Sequence, residues 1–203
     1  DEDRRVVGNV HRPALGQRAR ELVADAESGR KSLRLLLGFE TITYRELWRR
    51  ARAIAAEWSH DGRHPLAAGD FVCILGFASV DYATLLLSCI HRGAVVVPHQ
   101  TSAPAAQHAD IIAETGPRIM AAGIDYLGTA VDAVLAGTKP QRLVVFDYDA
   151  RDDEQRERFE SARQRLADAG CAIAVDALDE LVARGKTLPE PPLFVPAADA
   201  APL

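Results

Sequence analysis

Four polar side chains in a row, His99, Gln100, Thr101 and Ser102, follow a β-branched run that reads as a buried strand. At the C-terminal end of a parallel strand they would line the crevice where open α/β sheets bind ligands. The competing reading has Ser102 capping the next helix while the others satisfy loop backbone. They cannot be completed into a nucleophile, a base and an orienting group from elsewhere in the chain. No catalytic residue is therefore assigned.

Other chemistries are weaker still. His60 and His64 are four apart, but Gly62 and Pro65 argue against the helix that would align them on a metal, and no metal ligand is assigned. Asp147, Asp149, Asp152, Asp153 and Glu154 form the densest acidic cluster. A phosphoacceptor site would need an acidic pair at the first strand end too, where Gly76 and Phe77 stand. The cluster reads as acid at a helix N-terminus. Arg45, Arg49 and Arg52 share one helix face and read as solvated. His91, beside Arg92 and Gly93, reads as a partner of helix C-terminal carbonyls. No G-x-G-x-x-G and no G-x-x-x-x-G-K-[ST] occurs, and Phe77 would block close approach of a pyrophosphate. Lys31 and Lys139 lie in no glycine-rich loop.

The stretch Phe71–Pro104 must position these groups. Phe71–Phe77 is apolar without alternation, as in a strand buried on both faces. Ser79 is placed to cap a helix with Asp81 in its first turn. Tyr82, Leu85, Leu86, Cys89 and Ile90 fall at helical spacing, and Gly93 sits where a left-handed residue would end that helix. Ala94–Val97 is a second buried strand, completing a right-handed βαβ unit. Upstream, Leu15, Ala19, Leu22 and Val23 predict a helix to about Ala26, and Leu33–Leu37 with Thr41–Tyr44 predict a hairpin around Gly38. Thr43-Tyr-Arg-Glu46 is a capping box opening a helix to about Ser59. Downstream the pattern predicts a helix over about Ala103–Thr115, a strand at Arg118–Ala122 and a helix over Asp125–Ala136. A strand at Arg142–Tyr148, a helix over Asp152–Ala169, a strand at Ala172–Val175 and a helix over Leu178–Arg184 follow. The fold class is α/β, a Rossmann-like, mostly parallel open sheet with helices on both faces. Residues 1–186 form that part, and 187–203 are an extended Pro-rich segment.

Composition sets outer bounds. At 203 residues the chain can bury roughly 70% of its unfolded surface in one core. A net charge of −5 gives no reason to expect nucleic acid or an anionic membrane as partner. No apolar stretch is long enough to span a bilayer, and no signal peptide is evident. Cys73, Cys89 and Cys171 sit at wide spacings and read as reduced residues of a cytoplasmic protein. Asp1–Arg5 is charged and expected to fray. Both ends read as cut, since the chain starts at Asp1 and runs out in a Pro-rich stretch.

The motifs carry a resemblance. Thr41-Ile-Thr-Tyr-Arg-Glu-Leu47 and Ile90-His-Arg-Gly-Ala-Val-Val-Val-Pro98 resemble the first and second conserved segments of adenylate-forming enzymes, which include acyl-CoA synthetases and peptide-synthetase adenylation domains. Arg12–Ala19, Gly69–Val72, Asp81–Thr84, Gln100–Pro104, Ala113–Thr115, Leu135–Gly137, Arg142–Tyr148 and Leu166–Gly170 resemble one branch, the carboxylic acid reductases. His91-Arg92 and His99 depart from the usual residues. The resemblance implies a multidomain enzyme that activates a carboxylic acid with ATP and Mg²⁺ as acyl-AMP. A phosphopantetheine thiol on a carrier domain then captures the acyl group, and a reductase domain releases the aldehyde with NADPH. The family's phosphate loop, acid-binding histidine, ribose-binding aspartate and catalytic lysine have no counterpart here, so this chain is expected to be scaffold and inactive alone. Its partners would be the rest of the adenylation domain and the carrier and reductase domains. The alternatives are a fragment of an acyl-CoA synthetase or other adenylate-forming ligase, a free-standing flavodoxin-like ligand-binding domain, or an interaction module using the Arg45–Arg52 face.

Overall fold

A computed structural model describes residues 10–196. The fraying expected at Asp1–Arg5, and the last part of the Pro-rich segment, lie outside the described residues.

The N-terminal region departs most from expectation. β1 (Pro13–Ala24) and β2 (Lys31–Thr43) pair antiparallel as one long hairpin, replacing both the helix expected at Leu15–Ala26 and the short hairpin around Gly38. Leu15, Gln17, Ala19, Glu21 and Val23 are the alternate, half-buried positions of β1. Two of them are polar, so the period of two is hidden in hydropathy, while Leu15, Ala19, Leu22 and Val23 imitate a helical stripe. The turn falls at Asp25–Arg30, where the Asp25 carboxylate accepts from the N–H groups of Glu27 (3.2 Å) and Ser28 (2.7 Å). Gly38, at φ +106°, sits inside β2 at a bulge, where Arg18 faces Phe39 but Arg20 faces Leu35.

β2 runs straight into α1 (Tyr44–Ser59) through the capping box: Glu46 N–H donates to Thr43 Oγ1 (3.2 Å) and Thr43 N–H to Glu46 Oε2 (2.9 Å). Then follow β3 (Phe71–Leu75), α2 (Val80–Arg92), β4 (Val95–His99), α3 (Ala105–Thr115) and β5 (Ile119–Gly123). A single turn at Ile124–Tyr126 leads into α4 (Leu127–Ala136), and β6 (Arg142–Phe146), α5 (Asp153–Asp168), β7 (Ala174–Ala177) and α6 (Leu178–Gly185) complete the order. The five strands β3–β7 are parallel, in the order β4-β3-β5-β6-β7. No described helix is long and apolar enough to cross a membrane.

Strand side chains alternate between two cores, which is why neither face reads as polar. Val72, Ile74, Ile119, Ala121, Val144 and Phe146 pack with α1, α2 and α6. Cys73, Leu75, Met120, Ala122, Leu143 and Val145 pack with α3, α4 and α5. The buried face of α2 is rotated from the expected one. Thr84, Leu85, Ser88, Cys89 and His91 are buried, whereas Leu86 and Ile90 are exposed. The small Ser88 lets α2 lie against α1, its hydroxyl donating to the Ala51 carbonyl at 3.1 Å. Pro98 is tolerated because β4 is an edge strand of the described sheet.

At the N-terminal ends of the strands the buried charges are paired with opposite ones. Arg142 contacts Glu57 (2.7 Å), Asp61 (3.0 Å) and Asp176 (3.3 Å), and Arg184 meets Glu57 (3.0 Å) and Asp176 (2.9 Å).

Candidate functional site at the C-terminal strand ends

The chain winds outward from β3 to β4 and then returns past β3 to β5. Such a reversal opens a crevice at the C-terminal ends of β3 and β5. Its first wall is Gly76–Ser79. Ser79 caps α2 by accepting from Tyr82 N–H (3.0 Å), which puts Asp81 in the first turn. A Cβ at Gly76 would stand 2.5 Å from the Phe146 ring, so glycine here makes room for that core ring.

Asp147, just past β6, is the only non-glycine among the described residues with positive φ (+53°). Its N–H donates to Asp81 Oδ2 (3.0 Å), while Asp81 Oδ1 accepts from Arg50 (2.7 Å), which also reaches Asp179 (3.1 Å). The hairpin leans over this group. A 490 Å³ cavity is lined by Gln17, Arg20, Thr41, Arg50, Asp81, Asp147, Asp149 and Asp179. A 240 Å³ cavity beside it includes Phe77, Ser79, Asp125, Tyr126 and Asp147. Burial first, and the Asp81 charge second, push the Asp147 carboxyl up to about 6. Burial also raises Asp81, against the opposing pull of Arg50. The site can bind a polar ligand and take up a proton near pH 6.

It does not fit a nucleotide triphosphate. Five carboxylates, Glu40 among them, against three guanidiniums, Arg20, Arg50 and Arg151, line the larger cavity, and no lysine faces it. Lys186, a lysine the motif reading passed over, lies beyond α6 on the outer side of α1.

The acidic cluster holds a helix N-terminus as expected, and more. Asp152 caps α5 by accepting from Gln155 N–H (3.0 Å). Its other oxygen accepts from Leu33 N–H (2.8 Å), and Asp153 accepts from Lys31 N–H (2.7 Å). Arg30 bonds Glu157 at 2.6 Å and 2.9 Å. These contacts clamp the hairpin onto α5.

Of the four residues singled out in sequence, only His99 meets another candidate group. It is the last residue of β4, 5% exposed, with Nδ1 2.9 Å from Nδ1 of the fully buried His108. The rings stack at 5.0 Å. One Nδ1 must carry the proton and the other accept it, so the two rings cannot both be charged. Both Nε2 atoms are buried without a partner. Burial, then the neighbouring imidazole, lowers His99 to about 4. Gln100, Thr101 and Ser102 form the turn before α3, Gln100 accepting from Ala103 N–H (3.0 Å). Gln100 and Ser102 are exposed and Thr101 half-buried, and none of the four lines either cavity. Ser102 does not cap: Pro104 holds that position, without a side-chain bond.

The remaining candidates resolve simply. His60 Nδ1 pairs with the Ala56 carbonyl (2.9 Å), and no cluster of three metal-ligating side chains occurs among the described residues. His91 packs on Trp48 (5.7 Å) with Nε2 3.8 Å from Glu190, rather than on helix carbonyls, because its side of α2 faces α1. The sequence reading missed Arg20, Arg50, Asp81 and His108 as site residues. Arg20 was hidden by reading β1 as a helix. His108 carried one available signal, since a strand end and the following helix's first turns meet in a β–α unit.

Comparison with known proteins gives a consistent result. The sequence pattern of the AMP-binding enzyme family matches residues 22–198. The carboxylic acid reductase of Mycobacterium tuberculosis is 50% identical over 193 residues, 95% of this chain and 16% of that protein. The chain therefore spans a small part of that relative's length. Among solved structures, the A-PCP didomain of carboxylic acid reductase from Segniliparus rugosus in complex with AMP superposes with a TM-score of 0.90 at 43% identity, over 97% of this chain and 27% of that one. The adenylation domain of a Mycobacterium chelonae carboxylate reductase gives 0.88 at 45% identity, over 97% and 30%.

Proposed function

The chain belongs to the AMP-binding enzyme family, and we propose that residues 1–186 are the N-terminal α/β part of a carboxylic acid reductase adenylation domain. Residues 187–203 then lead toward the half that carries the phosphate loop. One observation carries this reading: 50% identity to a carboxylic acid reductase extends over 95% of the chain. It spans both cores, the hairpin and the clamp, so the likeness is to a whole packed unit rather than to one motif.

In this reading the complete enzyme converts a carboxylate and ATP, with Mg²⁺, into acyl-AMP and pyrophosphate. A phosphopantetheine thiol displaces AMP, and NADPH delivers a hydride to the thioester, releasing the aldehyde. The setting is cytoplasmic, in keeping with three buried free thiols. No step runs through residues of this chain, since the described crevice is acidic where a triphosphate needs donors. The chain's own work is to hold the sheet and offer its strand ends as one wall of the acyl or pantetheine cleft. His99, Gln100, Thr101 and Ser102 stand at that rim: Gln100 and Thr101 face ligand, and His99 stiffens the turn through His108.

Carboxylate-dependent ATP–pyrophosphate exchange tests the reading. The 203-residue chain should show none, and the complete polypeptide should show exchange and NADPH-dependent aldehyde formation. Exchange by the isolated chain that Lys139→Ala abolishes would overturn the scaffold role. Acyl-CoA formation from free coenzyme A, with no aldehyde, would favour an acyl-CoA synthetase instead.

A further inference from the structure

We propose that the outer face of α1 carries a binding site for a small amphiphilic anion with a flexible apolar tail. Arg50 points from α1 toward Asp81, so this second site stands apart from the strand-end crevice and does not depend on the adenylation reading.

The groove exists because α6 ends in contact with α1. Gly185 lies so close that a Cβ there would fall on the Ala53 carbonyl, so the two helices touch backbone to backbone. Beyond Gly185 the chain turns back along α1, and Leu188 and Glu190 become one wall of the groove. Leu47, Trp48, Ala53, Ala56 and Leu87 contribute its apolar lining. Trp48 is held in place by the buried His91 ring, 5.7 Å away. The cavity measures 810 Å³, within the range of small-molecule sites, about 300–1,000 Å³.

Charge selects the ligand. Arg45, Arg49, Arg52 and Lys186 line the groove against one acid, Glu190, which pairs with Arg52. Arg45, Arg49 and Lys186 enter no ion pair among the described residues. Arg45 and Arg49 are one helical turn apart, so both guanidiniums can flank one anionic head. An apolar tail on Trp48 and Leu47 would remove surface from water while the head stays at the wet rim. A saturated monocarboxylate has this shape. A cationic amphiphile does not match the rim, and a neutral one leaves it unused.

Decanoate carrying a diazirine on its tail serves as probe, with the complete polypeptide as target. Saturable photolabelling of peptides from residues 44–58 or 185–190 is expected, displaced by decanoate but at least several-fold less well by decanol or decyltrimethylammonium. Arg45→Gln with Arg49→Gln, both exposed, should weaken displacement about tenfold at unchanged melting temperature. Four results would overturn the site: labelling confined to other peptides, displacement indifferent to the headgroup, an unaltered double variant, or labelling of the 203-residue chain that vanishes in the complete polypeptide. Displacement by an acidic peptide but not by decanoate would also overturn it, marking the groove as a protein-docking surface.

Discussion

The two ends of one parallel sheet treat buried charge in opposite ways. At the N-terminal ends, Arg142 and Arg184 meet Glu57, Asp61 and Asp176 in five contacts of 3.3 Å or less. At the C-terminal ends, Asp147 sits at positive φ beside a second carboxylate, and two imidazoles leave both Nε2 atoms without partners. Charge partners at one end are numerous and opposite in sign. At the other, Arg50 serves Asp81 and Asp179, while Asp147 faces a like charge and the imidazole Nε2 atoms lack partners. Unrelieved charge and backbone strain persist where neighbours enforce them, and such places cluster at ligand sites. The contrast sets a charge-paired, stabilising lower end against an upper end of the kind that ligand sites favour.

The comparison breaks most visibly at Arg142. Arg142→Ala takes away the partner of Glu57 Oε2 and leaves that buried carboxylate with Arg184 alone, and should cost about 3 kcal/mol in urea denaturation. A loss below about 1 kcal/mol would mean that the lower network is ornamental. At the upper end the sign reverses. Asp147→Asn removes a carboxylate disfavoured in the fold, and asparagine accepts positive φ. The folded pKa, about 6, lies above the unfolded 3.8, so the penalty is fully present above pH 6 and disappears as pH falls through 3.8. The substitution should stabilise by up to about 3 kcal/mol at pH 8 and by nothing near pH 3.5. Destabilisation at pH 8 would show that the carboxylate is paired after all.

His99 sharpens the picture because its slope opposes that of Asp147. Its folded pKa, about 4, lies below the ordinary 6.5, so its contribution is intact above pH 6.5 and is lost as pH falls toward 4. His99→Gln should remove about 2–3 kcal/mol of stability loss between pH 6.5 and 4. The two slopes oppose each other there, so the two single variants should tilt the wild-type profile in opposite directions. The smallest effects belong to the turn. Gln100→Ala, Thr101→Ala and Ser102→Ala should each change stability by less than about 0.5 kcal/mol, since none caps α3. In the complete enzyme the first two should alter kcat/KM for the acid or for carrier acylation. Wild-type kinetics for both would remove this turn from the cleft.

The alternation of strand and helix was legible because each buried strand is a short apolar run between turn residues, and the Thr43–Glu46 box and the Ser79 cap are local. What stayed hidden is non-local. β1 is a strand only because β2 lies beside it, and its half-buried polar Gln17 and Glu21 conceal the alternation. His99 was visible as one polar residue at a strand end, but its meaning depends on His108. Asp147 was seen within an acidic cluster, yet its raised pKa comes first from burial and then from Asp81, sixty-six positions earlier.

The clamp between the hairpin and α5 also sets an order of events. Arg30, Lys31 and Leu33 find their partners at Glu157, Asp153 and Asp152. On a ribosome, at roughly 5–20 residues per second, the hairpin's residues are made first but cannot be fastened until the start of α5 has left the exit tunnel. Strands made well before α5 are thus fastened only after it, and the Leu35, Leu37 and Phe39 side chains of β2 stay exposed even in the finished fold.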